Sequence, residues 1–216
     1  MALGLTTESS SGDYTPIVKI DARAGRVFRV DRSQASGGEW VTENVDITQN
    51  FQAIWDMENI QVGWALFAAG IAPSFSLVAL GDPLPPKPSD QHKQVFRLLV
   101  KLGKSAGGDV RELASQAKAV IGSVDALHTA YEAGLKDNPG KLPVVSMTGS
   151  TPIKSSGSGM TSVNYAPVFE IIGWQPRPDG LGGLKPADAH PATESLPKTG
   201  AAATAKKEPV NVANEF

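Results

Sequence analysis

The chain has 216 residues, with 20 Lys plus Arg against 22 Asp plus Glu and 41% hydrophobic residues. That is enough apolar material for one packed core, and no net field to gather a polyanion. It contains no cysteine, which excludes disulfides, thiolate metal sites and cysteine nucleophiles. His92, His128 and His190 show no i,i+3 or i,i+4 metal pairing, and no apolar run reaches the roughly 18 residues of a membrane helix.

Residues 1–14 are small and polar, too poor in apolar side chains to offset the entropy of ordering, and predict a flexible arm. The N-terminus has neither a basic n-region nor a long apolar h-region, so no signal peptide is expected and the cytoplasm is the default compartment. Strand-like runs follow at Thr15–Asp21 and Arg26–Asp31, joined by Ala22-Arg23-Ala24-Gly25. Two such runs around a short glycine-bearing link predict a β-hairpin. Lys19, Arg23, Arg26, Arg29 and Arg32 give it a basic face, which reads equally well as ordinary solvent exposure.

Residues 33–39 have loop composition. Trp40 and the runs Val45–Ile47, Phe51–Met57 and Ile60–Phe67 continue the strand-like pattern, with a helix over Ala65–Ala69 as an alternative. Met57–Ile60 reads as a tight hairpin turn in which Asn59 can take the left-handed conformation. Phe75–Leu80 is a further strand. It runs into Gly81–Pro88, where Pro83, Pro85, Pro86 and Pro88 forbid ladder and helix alike. A plain extended connector outweighs a PxxP partner motif there.

Lys93–Leu102 is the clearest strand. Phe96, Leu98, Val100 and Leu102 fall on one face, and Lys93, Val95, Arg97, Leu99 and Lys101 on the other. Asp109 then reads as a helix N-cap. Leu113, Ala117, Val120, Ile121, Val124, Leu127 and Tyr131 form an apolar stripe at steps of three and four, which means core. Gly122-Ser123 marks a place where the helix could divide, and Asn138-Pro139-Gly140 ends it. Leu142–Gly149 and Tyr165–Trp174 are the last strands, separated by a Gly/Ser/Thr loop over Ser150–Ser162 that carries Lys154. Residues 179–216 have the composition of a disordered tail, with five acids and four lysines.

Catalytic chemistry finds little support. The chain has no Walker-type phosphate loop and no Gly-x-Ser-x-Gly elbow; Gly103-Lys104-Ser105 and Gly157-Ser158-Gly159 are fragments of phosphate-loop composition only. Asp56 and Glu58 are the one close carboxylate pair, and an exposed strand edge explains them better than a metal or a paired acid. No enzyme activity, catalytic residue, metal or cofactor is expected.

The pattern predicts a mainly β, α+β fold: a small β-barrel with one or two helices between strands, over residues 15–178, the helical segment lying at about 106–136. That order of strands, basic strand, helix and long-looped hairpin resembles an OB-fold. The run Leu142-Pro143-Val144-Val145, the polar loop after it, and Tyr165 to Trp174 resemble the end of phage-type single-stranded DNA-binding proteins, and Pro16 to Arg26 is similar to their front end. The resemblance implies sequence-independent binding of single strands in phage DNA replication or recombination, in the host cytoplasm, and a C-terminal tail, ending in Glu215 and Phe216, that recruits replication or recombination proteins. The tail departs from that pattern: only Glu215 directly precedes Phe216, and Lys206-Lys207 are close by.

Single-strand binding needs cations that track phosphates and flat rings on which bases stack. The candidate cations are Lys19, Arg23, Arg26, Arg29, Arg97, Lys101 and Lys154. The candidate platforms are Phe28, Trp40, Trp55 and Trp64, of which two at most are expected outside the core. Residues 15–178 hold 16 basic and 15 acidic residues, so binding requires the cations to share a face. The rival reading is a non-enzymatic phage accessory protein that acts through protein–protein contacts. No membrane partner is expected, and homo-oligomerisation is compatible with the sequence.

Overall fold

The computed structural model describes residues 15–69, 72–157 and 160–182. The expected arm over 1–14, and the expected tail beyond residue 182 with Glu215 and Phe216, lie outside the described residues. Ten strands and one α-helix are described: β1 (Ile17–Asp21), β2 (Arg26–Gln34), β3 (Trp40–Asp46), β4 (Gln52–Trp55), β5 (Gln61–Leu66), β6 (Ser74–Ala79), β7 (Lys93–Leu102), β8 (Val110–Ser115), α1 (Lys118–Gly134), β9 (Lys141–Gly157) and β10 (Met160–Pro176). The protein is mainly β, with all ten strands in one mixed sheet.

The expected hairpin forms between β1 and β2. Val18, Ile20, Val27 and Val30 are buried, and Asp21 Oδ1 accepts the backbone N–H groups of Arg23 and Ala24 at 2.9 and 3.2 Å. Gly25 closes the turn at φ 65°, a left-handed conformation costly for other residues. The order β10-β9-β4-β7-β8-β1-β2-β3 places β7 near the centre. One edge of β7 pairs with β8; the other pairs end to end with β4 (Ala53–Trp55 opposite Leu102–Val100) and β5 (Gln61–Ala65 opposite Arg97–Lys93). The bend over Met57–Asn59 is therefore not a hairpin turn. It carries the chain along one edge of β7, where the Asp56 N–H donates to Leu99 O at 3.0 Å.

The helix begins later than Asp109. Residues 110–115 follow a period of two, burying Arg111, Leu113 and Ser115, and this lets β8 pair antiparallel with β7 and parallel with β1. Asp109 binds Arg111 instead of capping a helix, with Nε to Oδ1 at 3.0 Å. α1 then runs unbroken through Gly122 and Ser123, burying Val120, Val124, Leu127 and Tyr131. The expected 150–162 loop is also shorter in fact. Backbone pairing between β9 and β10 continues to Gly157 and Met160, with Lys154 opposite Val163.

Phe51, Trp55, Met57, Leu98, Val100, Leu113 and Val145 form the main core with the buried side of α1. A smaller cluster of Leu99, Leu142 and Leu181 lies apart, with Ile54 and Val110 packed against it. β7 is consequently buried on both sides around Leu98–Val100, not half-buried as its alternation predicts. Leu181, in sequence expected to belong to the tail, is fully buried.

Candidate nucleic-acid interface

Residues directly opposite one another across a ladder point to the same side of a sheet. Lys19 is opposite Phe28 and Asp21 opposite Arg26. Ile17 is paired with Glu112, which is in turn opposite Leu99. Lys19, Arg26, Phe28, Arg97 and Lys101 therefore share the face turned away from the main core. The alternating pattern of each strand puts Val18, Leu98 and Leu113 on the other side.

Most other candidates stand elsewhere; Trp40, opposite Gln34 on the Phe28 side of β2, lies on the same face at its periphery. Trp55 is opposite Val100 and 0% exposed, with its ring against Phe51 and Phe169 at centroid distances of 6.4 and 5.1 Å. Its flat, apolar ring contributes burial in the core, and it has no surface to offer a base. Arg29 pairs with Val18 and points away from the shared face, its Nη1 donating to Ala106 O at 3.2 Å. Trp64 is half-buried. Its Nε1–H donates to Pro85 O at 2.9 Å, and Lys87 Nζ lies 5.8 Å from its ring, so the proline-rich connector is tied down on this indole. Trp40 is 59% exposed at the start of β3, with the Arg32 guanidinium 5.4 Å from the ring centroid. Arg23 is exposed in the β1–β2 turn, and Lys154 is exposed on β9.

The arginines are largely neutralised. Arg26 meets Asp46 at 2.9 Å, Arg29 meets Asp31 at 2.8 Å and Arg97 meets Glu112 at 2.6 Å. Of these three pairs Arg97–Glu112 is the most enclosed, with side chains 14% and 13% exposed. Hydrogen bonds from the Thr48 side chain and backbone, then from Arg26, hold the Asp46 carboxyl below the usual aspartate range. Burial opposes ionisation of Asp31, yet hydrogen bonds from Arg29 and Arg111 lower it as well. Lys19, Lys101 and Lys154 form no ion pair among the described residues.

Three groups of residues escaped sequence reasoning. Buried Arg111 bridges Asp31 and Asp109, each at 2.7 Å. Arg177 bridges Asp56 and Glu58 at 2.8 and 2.6 Å, and its Nη1–H donates to Leu181 O at 2.7 Å. The close carboxylate pair is thus the anchor of a salt bridge, with Asp56 0% exposed and not on an open strand edge. The bond to Asp56 foremost, and that to Glu58, raise Arg177 further above the ordinary guanidinium value against the effect of burial. Phe67 and Phe75 form an edge-to-face pair 5.6 Å apart, and the Arg97 guanidinium lies 5.2 Å from the Phe75 ring centroid. The alternation of Phe75 against Ser74 and Ser76 was a usable signal for the last group. The salt bridges left little, because apart from Asp109–Arg111 and the adjacent Asp56 and Glu58 their partners are distant in sequence.

Among the described residues no three His, Asp or Glu side chains gather in a way that could hold a metal ion, and no helix is long and apolar enough to cross a membrane. No family model, curated protein or solved structure matches this chain.

Proposed function

We propose that the face carrying Lys19, Phe28 and Lys101 binds single-stranded DNA without sequence preference, the lysines neutralising phosphates and the half-buried ring of Phe28 receiving a base. The observation that carries this reading is the pairing state of the cations. Lys19 and Lys101 stand on one face, and among the described residues no carboxylate is bonded to either. Their charge is therefore open to a phosphate without breaking an existing pair. Arg26, Arg29 and Arg97 must first give up Asp46, Asp31 and Glu112. In this reading the lysines supply the affinity, and Trp40 adds a peripheral platform.

We further propose that the sheet is an OB-like barrel. Its support is a single bond, from the Tyr165 N–H to Ala22 O at 2.6 Å, which links β10 to the far hairpin. The setting proposed is phage DNA replication or recombination, on the resemblance of residues 15–178. One observation favours protein docking instead: the outer edge of β10 pairs with no strand among the described residues and exposes Val163, Val168 and Ile172.

The test is anisotropy of a labelled oligo-dT titrated with the full chain at several salt concentrations. Saturable binding is expected, with log affinity falling linearly against log salt. Replacing Lys19 and Lys101 together by Ala should flatten that slope by about 0.7 for each phosphate that is no longer neutralised. Absence of binding at low salt would sink the DNA reading and favour the docking one.

A further inference from the structure

A groove of about 390 Å³ opens between β1, β8 and the far end of the β5–β6 ribbon, lined by Ile17, Lys19, Phe67, Pro73, Phe75 and Gln116. We infer that it is a stacking pocket for a single nucleobase, with Phe67 as the platform and Lys19 taking the adjoining phosphate. This rests on the proposed binding of single strands and deepens it, since neither phenylalanine figures among the residues predicted from sequence.

Several observations converge. Phe67 is 45% exposed, so its ring is open to a group arriving from solvent. Its orientation is set by the edge-to-face packing on Phe75, at an interplanar angle of 84°. Phe75 is itself held by the guanidinium of Arg97, which Glu112 fixes in place. A ring held this way loses little freedom when a base settles on it, and such pre-organisation favours binding. Lys19 has no carboxylate partner among the described residues, and the carboxylate in the lining, Glu112, is already held by Arg97, so the groove joins an apolar floor to an open positive charge. The Gln116 side chain, whose Nε2–H donates to Ala65 O, keeps its amide oxygen as an acceptor for base N–H groups. The volume is at the small end of the roughly 300–1,000 Å³ of ligand pockets, which suits one ring system. A flat, apolar group attached to an anion is what this chemistry recognises, and a nucleotide within a strand is such a group.

The experiment compares oligo-dT with an abasic oligonucleotide of equal length, which keeps the phosphates and lacks the rings. The unsubstituted chain should bind oligo-dT more tightly than the abasic strand. Phe67→Leu, which keeps apolar cover but removes the π-face, should weaken oligo-dT binding roughly 5- to 150-fold. It should leave both the salt slope and the abasic affinity unchanged, while Phe67→Tyr retains binding. If Phe67→Leu binds oligo-dT like the parent, while the lysine substitutions still weaken it, the pocket is wrong and the phosphate-binding face stands. If the unsubstituted chain binds neither oligonucleotide, both fall together.

Discussion

Arg97 and Glu112 meet diagonally across β7 and β8, where Arg97 is opposite Ala114 and Glu112 opposite Leu99, with Nη2 to Oε2 2.6 Å apart and both side chains mostly enclosed. The pair determines how the basic strand can be tested. Arg97→Ala would leave a shielded carboxylate without its cation, a change that costs roughly 3–5 kcal/mol when a buried pair is broken. Weakened binding in that variant would then report damaged folding. Glu112→Gln is the cleaner change, because it keeps an acceptor for Arg97 and removes the negative charge beside the face. We expect tighter binding of oligo-dT, a salt slope steeper by about 0.7 and a stability loss of about 1–3 kcal/mol. Titration and urea unfolding of the same preparation check both; unchanged affinity would mean that the face does not meet phosphates.

Arg177 ties the segment after β10 to the bend after β4, and Asp56 beneath it is fully buried. Arg177→Met should destabilise the fold by roughly 3 kcal/mol, because Asp56 keeps only Asn59 as a side-chain donor among the described residues. Adding Asp56→Asn should recover part of that loss, since the uncompensated charge goes with it. A double-mutant cycle in urea measures the coupling, and simple additivity would show that the pair is not a unit.

Acid should weaken the protein through Asp31 and Asp46. Both carboxyls titrate below their ordinary 3.8 in the folded chain, so in that range the unfolded chain binds more protons. Stability is then complete above the ordinary value and falls as pH drops through the lower folded values. Urea midpoints from pH 6 to pH 2 should be flat at first and decline below about pH 4. In Asp31→Asn the decline should be shallower, and an unaltered decline would remove Asp31 from the account.

Local periodicity settled much of this protein in advance. The alternation of Val18 and Ile20 specifies β1, the run from Lys93 to Leu102 specifies β7, and steps of three and four from Val120 to Tyr131 specify the helix, because each pattern needs only near neighbours to be read. The same reasoning misread residues 110–115: a leucine at Leu113 fits a helical stripe as well as a strand, and only pairing with β7 and β1 selects the strand. The site was less legible than the fold. Trp40 and Trp55 are the same residue type in similar strand-like runs, yet one lies on the sheet's β3 edge and the other on β4, enclosed between β9 and β7, and that difference belongs to strand order. Charge behaves in the same way. Arg97 and Glu112 are 15 residues apart, and Arg177 and Asp56 are 121 apart, so composition counts their charges without revealing which cancel. Near-neighbour patterning is enough to assign most strands, the body of the helix and the number of cations. Which cations keep their charge for a partner, and which rings reach the surface, follow only from strands meeting across long stretches of chain, since ion pairs and burial are made between segments that folding alone brings together.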